Sequence, residues 1–545
     1  MRSETSPLLS PTTSHTEDEI VSYVKSRRES IASIDNKIPN EILQQGQRHP
    51  PKTLNPISSN NSNSYHFSIH DILSDHDMEN GSNEPKTTIL KESKILVVNS
   101  IPLMITYFLQ YSLNVISVIS VGKLGSKELA AISLSTMTSN ISGIAIIQGI
   151  STCLDTLCAQ AYGRKDFNNV GIHFIRCNYF IMLLFIPIWI FWNFGVEKIL
   201  IFFIGENEID ICKLASNYLK VLSYGLPGFI LFENGKHFLQ SQGIFHISTY
   251  ILFIAFPFNI LLNYILVWSK INIGFLGASL AIVLTNWFMA ILLYGYILFY
   301  NNQCWPKQNL LNKIYFINWK KMIDLSIPGV LMVEAEWLAF EIITFEAAKF
   351  GEIVLASQSI ISSLLVWFYQ ASAALGMVAS SRVALFIGSA YKNSAKKSSI
   401  SAIYTSLIFG IFNFILIFRF RRSLCSIFSN DSDVIEVSSK VLIIGAIYQV
   451  NDFLCCTTSG LLRAQGRQKI GAYLYLIGYY LIALPIAYYL AFIQNLQLIG
   501  LWCGMIIALA FVSISQLIVI IKSNWDDIID ECVNEAIAEE DQLAN

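Results

Sequence analysis

The sequence predicts an all-α integral membrane protein, with twelve transmembrane helices arranged as two parallel six-helix repeats. Three observations predict it. Of 545 residues, 53% are hydrophobic and only 14% charged, where a soluble chain carries about 25% charged residues. Long apolar runs follow one another between residues 94 and 522. Landmarks of the first six runs return in the last six at a nearly constant spacing.

A helix needs about 20 apolar residues to cross the hydrocarbon. The runs place spans near 94–119, 129–158, 171–194, 212–239, 245–269 and 274–300. A second group follows near 320–347, 353–386, 396–418, 434–461, 468–493 and 497–522. Backbone polar groups in lipid have to be satisfied inside each segment, so the runs are helices. The second and eighth are long enough to project beyond the bilayer. The implied organisation is a polar tail over 1–93, an N-lobe over 94–300 and an inter-lobe loop over 301–319. A C-lobe over 320–522 and an acidic tail over 523–545 complete it.

The N-terminal tail is rich in Ser, Asn and charge and too poor in apolar residues to build a core, so it reads as disordered. Its first ten residues are polar, so no cleavable leader is expected and the first apolar run directs insertion. Glu4, Leu8 and Leu9 fit an acidic dileucine pattern for contact with a sorting adaptor. Arg27-Arg28-Glu29-Ser30 has the form of a basic-directed phosphorylation site.

The repeat is read from several segments. Ser100-Ile101-Pro102 returns as Ser326-Ile327-Pro328, 226 positions later. Gly125 and Leu129-Ala130 return as Gly351 and Leu355-Ala356. Phe238-Leu239-Gln240-Ser241-Gln242-Gly243 matches Leu461-Leu462-Arg463-Ala464-Gln465-Gly466, and Asn272 with Gly277 matches Asn495 with Gly500. Six spans per repeat give both halves one orientation, related by an axis along the membrane normal. Repeats of this kind put substrate and ion sites near the midplane.

Loop charge sets the orientation. Lys307, Lys313, Lys320, Lys321, Lys392, Lys396 and Lys397 put both termini in the cytosol, although Arg419, Arg421 and Arg422 fall on the other side. No basic stripe marks a nucleic-acid partner. The ten cysteines lie mostly in apolar runs without metal-ligand spacing, and His173, His237 and His246 are far apart in sequence. No catalytic constellation, metal centre or cofactor is expected.

Ionisable residues at membrane depth cost at least about 2.5–3.5 kcal/mol each and mark function. The seventh span carries Glu334, Glu336 and Glu341, and the tenth carries Asp452, with no basic residue at matching depth. At 100° per residue Glu334 and Glu341 share a helix face and Glu336 points elsewhere. An unpaired buried carboxyl holds a proton more readily than one in water. It can also bind an organic cation, and competition between the two is the simplest form of antiport. The repeat places Gln110 opposite Glu336, so proton coupling is expected in the C-lobe, with Gln110 supplying hydrogen bonds only. Asp155 is a candidate gate, interlobe contact or helix-orienting group. Glu233 and Lys236, three apart, read as a structural ion pair. Trp337, Trp367, Tyr369 and Tyr448 are candidates for stacking on a cation.

These residues resemble the multidrug and toxic compound extrusion (MATE) family, in its eukaryotic, fungal-like branch. The stretches that carry the resemblance are Leu129–Leu134, Leu154–Gly163, Phe238–Gly243, Glu336-Trp337 with Ala339-Phe340-Glu341, Ala356–Ile360, and Thr458-Ser459-Gly460 with Gly466. The resemblance implies a V-shaped twelve-helix antiporter that exports or sequesters organic cations, xenobiotics or toxic metabolites against a proton gradient. It implies that Glu336, Glu341 and Asp452 bind proton and substrate, and that the acid of the eighth helix in animal members is replaced by Ser363. A vacuolar membrane is favoured over the plasma membrane, with a monomeric transport unit. The alternatives are a sodium-coupled variant, or a lipid-linked-sugar flippase, which would present a basic cavity rather than an acidic one.

Overall fold

A computed structural model describes residues 84–205, 208–268 and 273–544. The tail motifs at Glu4, Leu8, Leu9 and Arg27–Ser30 lie outside the described residues. Six helices form the N-terminal half: α1 (Ile89–Gly122), α2 (Ser126–Gly163), α3 (Phe167–Phe202), α4 (Ile209–Ser223 continuing as Leu226–Ser241), α5 (His246–Trp268) and α6 (Phe275–Phe299). Six more form the C-terminal half: α7 (Lys320–Ala348), α8 (Glu352–Gly388), α9 (Lys392–Ser426), α10 (Ser432–Ala464), α11 (Gln468–Ile493) and α12 (Gln497–Lys522). A thirteenth, α13 (Trp525–Ala544), follows.

Ten of the twelve are long and apolar enough to span a membrane by composition alone. The two exceptions, α4 and α7, each carry several charged residues along the span. Three acids within eight residues interrupt α7, and α4 is broken at Tyr224-Gly225 and carries Glu233, Lys236 and His237. At 1.5 Å per residue the 38 residues of α2 and 37 of α8 reach about 55 Å, far beyond a 30 Å hydrocarbon layer.

The repeat is written into the backbone as well. Lys165 (φ 62°) after α2 and Ala390 (φ 58°) after α8 take the same left-handed turn. So do Gly243 (φ 79°) and Gly466 (φ 71°) after α4 and α10, and Gly274 (φ 68°) and Gln497 (φ 46°) after α5 and α11. A non-glycine residue pays about 1 kcal/mol or more for that conformation. Lys165, Ala390 and Gln497 therefore keep it only because the surrounding helices impose it.

Two element boundaries differ from the sequence reading. α1 begins at Ile89, capped by the Thr88 side chain on the Lys91 amide, inside the stretch read as tail. The polar run Lys91-Glu92-Ser93 hides that first turn from a hydropathy criterion. The acidic segment after 523 is a docked helix rather than a free tail, with Trp525, Ile528 and Cys532 buried.

The halves meet at the end of the bundle that bears both described termini. Every residue of α2 from Gly149 to Ala161, and of α8 from Ala374 to Gly388, is buried. Glycine permits the closest approach: a Cβ at Gly163 would overlap the Leu385 carbonyl, and one at Gly388 the Gln160 carbonyl. Thr156 Oγ1 donates to the Arg463 carbonyl at 2.7 Å and Gln160 Nε2 to the Ala464 carbonyl at 3.0 Å. Glu92 at the start of α1 is fully buried and takes two 3.0 Å bonds from the Arg382 guanidinium of α8. At the opposite end the halves part. There Ser126–Ser139 of α2 packs on α1 and α4 of its own half, and Leu129 and Met137 are exposed.

On the terminus-bearing face α13 lies beneath both halves. Asp526 pairs with Lys392 of α9, and Glu535 with Lys321 of α7. Glu539 pairs with Arg176 (2.7 Å) and His173 (3.3 Å) of α3. Burial alone would raise the Glu539 carboxyl, but His173 and Arg176 together hold it well below the ordinary carboxylate range. Burial pushes the Cys532 thiol up, against the pull of the nearby Arg164 guanidinium.

Candidate functional site

Buried polar chemistry gathers at two places. In the C-terminal half, α8 and α10 approach through Gly376 and Gly460, where a Cβ on either would overlap the other helix's backbone. One turn from Gly376, Ser372 donates to Asp452 Oδ2 at 2.6 Å, and Asp452 is 1% exposed. Glu336 enters from α7 and faces Asp452 together with the phenols of Tyr448 (α10) and Tyr479 (α11). Tyr479 sits in a widened helical turn, Ile477–Ala483, which carries it inward to complete burial. Such π-bulges recur at functional sites. Tyr448 is braced edge-on by Trp502 at 5.8 Å, and Trp502 Nε1 donates to Gln358 at 2.8 Å. No Lys, Arg or His makes an ion pair with Glu336 or Asp452 among the described residues. Two carboxyls within electrostatic reach of each other and without a counter-ion make a receptor for a proton or an organic cation.

The N-terminal half holds a different arrangement. Asp155 of α2, fully buried, binds His237 Nδ1 of α4 through Oδ1 at 2.6 Å. Four residues back along α4, Glu233 pairs with Lys236 at 2.7 Å and stands 3.7 Å from His237 Nε2. Gln110 of α1 closes the group, donating to Glu233 and accepting from Lys236, each at 3.2 Å. The Lys236 ammonium also lies 5.0 Å from the centre of the Tyr107 ring. Asp155 Oδ2 has no hydrogen bond, and its neighbour at 3.8 Å is Arg463 Nε of α10, from the other half.

The MatE family profile matches residues 102–265 and 328–489, more than half of the chain. The two matches begin at Pro102 and Pro328, the first landmarks of the repeat. The chain belongs to the MATE family of transporters. An uncharacterised transporter of Saccharomyces cerevisiae is 38% identical over 443 residues, covering 81% of this chain and 63% of that protein, somewhat under two thirds of its length. Multidrug and toxin extrusion protein 1 of Homo sapiens is 30% identical over 80% of this chain and 75% of its own. Among solved structures, the eukaryotic MATE transporter AtDTX14 superposes with a TM-score of 0.77 at 25% identity, over 82% of this chain and 99% of that one.

Within this MATE bundle the residues nominated from sequence fall into separate groups. Glu336 and Asp452 lie within electrostatic reach of each other, with no hydrogen bond between them. Glu341, about 140° round α7 from Glu336, has no hydrogen-bond or ion-pair partner among the described residues. Both Glu334 oxygens are buried and unbonded, on the side of α7 that faces Tyr480. Trp337 is half-buried, and Ser363 spends its hydroxyl on the Ser359 carbonyl. Gln110 does supply hydrogen bonds, but to an ionic cluster, so the N-terminal half is not the neutral partner that its position opposite Glu336 implied. The sequence reading missed His237, Ser372 and Tyr479. The spacing of Glu233 and His237, four apart on one helix face, was the available signal for the first. Only the packing of α8 on α10 reveals the second.

Proposed function

We propose that this MATE transporter is a proton-coupled antiporter that moves organic cations, xenobiotics or toxic metabolites by alternating access. The observation that carries the reading is the Glu336–Asp452 pair, which has no cationic partner and is ringed by Tyr448, Tyr479 and Tyr369. Proton and organic cation compete for it, and the aromatic rings offer faces to the cation. The proton gradient is the energy source and no cofactor takes part.

The terminus-bearing face is the cytosolic one on this reading, in keeping with the lysines at the starts of α7 and α9. The end at which the halves part then faces away from the cytosol, toward a vacuolar lumen or the cell exterior, and the vacuolar membrane is favoured. Named relatives extrude drugs and toxins, which supports the substrate class. An acidic pair suits a pyrophosphate-linked lipid poorly, which speaks against a flippase.

The test is uptake of several organic cations into proteoliposomes under imposed proton or sodium gradients. Proton-driven uptake that vanishes in Glu336→Gln is expected. Uptake driven only by sodium would replace the coupling ion, and uptake indifferent to both gradients would end the antiporter reading.

A further inference from the structure

The ionic cluster of the N-terminal half lies outside the Glu336–Asp452 pair, and one of its members reaches across the seam. Its charges are two acids, Asp155 and Glu233, and two permanent cations, Lys236 and Arg463, with His237 between them. With His237 neutral the group sums to zero. Three of the four charges and His237 belong to the N-terminal half; Arg463 alone belongs to the other.

The two bonds of Asp155 are unequal. Its 2.6 Å contact to His237 is a hydrogen bond, whereas Arg463 Nε at 3.8 Å is too far for one, and neither that nitrogen nor Asp155 Oδ2 has any other partner. Separating the halves at this face would remove the Arg463 charge without breaking a hydrogen bond to Asp155. It would leave the cluster at a net charge of −1, and a proton on His237 restores zero.

We propose that His237 is a second protonation site, and that Asp155 couples its occupancy to the closure of the terminus-bearing seam through Arg463. A proton on His237 in the closed state would stand beside Arg463 around one carboxylate; in the open state it takes the place of Arg463. Protonation therefore favours opening of this seam, and opening favours protonation, as linkage requires. The direction is the one antiport needs, since proton-loaded protein has to turn toward the cytosol. The role rests on the proton-coupled reading above.

The surroundings leave His237 as the group that changes. Glu233 and Lys236 are paired on its own helix, with Gln110 and Tyr107 facing them from α1. From α3, His173 and Arg176 are committed to Glu539, and from α8 Arg382 is committed to Glu92. α6 contributes Tyr294, while the thiols of Cys153, Cys158 and Cys177 line the α2–α3 side and Cys456 the α10 side. The repeat supplies a built-in contrast. The counterparts of Asp155 and Arg463 are Ser381 and Gln240, so the repeat-related pair at the seam is uncharged.

The test measures seam width directly, by electron spin distances between noncanonical labels at Lys165 and Lys396 in full-length protein in nanodiscs. In the double variant Glu336→Gln with Asp452→Asn, which removes both carboxyls of the other site, acidification is expected to raise the open-to-closed ratio about tenfold, within the usual range of coupling between sites. Adding His237→Gln is expected to abolish that response, and His237→Lys, with a permanent charge, to hold the seam open at every pH. An unchanged pH response in the His237→Gln background, or a seam in His237→Lys that still closes at high pH, overturns the proposal. Wild-type transport indifferent to a proton gradient would instead defeat the coupling reading, whatever the distances show.

Discussion

Where α10 carries Asp452, the repeat puts Phe229 in α4; where α4 carries His237, it puts Gly460 in α10. The two halves share turns, glycine contacts and helix order, yet each keeps its ionisable groups at a different level. His237 lies eight residues beyond the Asp452-equivalent position, which is about 12 Å along a helix and nearer the terminus-bearing face. Duplication preserved what the fold needs in both copies. It released the interior polar positions, so one half could specialise in an uncompensated acid pair and the other in a balanced ionic cluster.

The sharpest way to break this comparison is to neutralise the acid pair. Glu336→Gln and Asp452→Asn should each abolish proton-driven uptake in proteoliposomes. The double variant should be no worse than either, because groups acting as one unit are strongly non-additive. Residual proton-driven transport in the double variant would move the proton site to the other half.

The seam offers a comparison of stability. Arg382→Met strands the fully buried Glu92 without the two hydrogen bonds of its only ion-pair partner among the described residues and should cost about 3–5 kcal/mol in thermal unfolding. Arg463→Met breaks only a 3.8 Å contact and should cost about 1 kcal/mol. Equal losses would mean that the two crossings of the seam are equivalent after all. Gly388→Val places a branched side chain on the Gln160 backbone and should destabilise by about 3 kcal/mol. Gly295→Val, with open space around it, should cost under about 1 kcal/mol.

A small effect concerns α13. Because the folded Glu539 carboxyl is held below its ordinary value, its contribution is complete above the normal glutamate value of 4.5. It is lost as pH falls from there through the depressed folded value. Glu539→Gln should therefore cost about 1 kcal/mol of docking near neutral pH. Hydrogen exchange across Trp525–Glu539 should report that loss, and the difference from wild type should shrink in acid.

The sequence made the scaffold and the C-terminal acids legible because both depend on local pattern. Apolar runs of span length, Pro102 and Pro328, and acids without neighbouring cations all declare themselves along one helix. Partners supplied by another helix do not. Glu92 looked like part of a solvated tail because Arg382 is 290 positions away. His237 looked solitary because Asp155, 82 positions earlier, is brought to it only by the packing of α2 on α4. The amphipathic end segment failed a hydropathy criterion for the same reason: its apolar residues are too few to show until a surface receives them.

That end segment is a measuring rod. α13 is fastened at Asp526 to α9, at Glu535 to α7 and at Glu539 to α3. A helix keeps its length, so three anchor points on two bodies set a separation for those bodies. Widening the seam on that face has to release an end of the rod or swing it on the anchors that remain. The force needed to part the halves is then decided partly by ion pairs that lie outside the twelve helices.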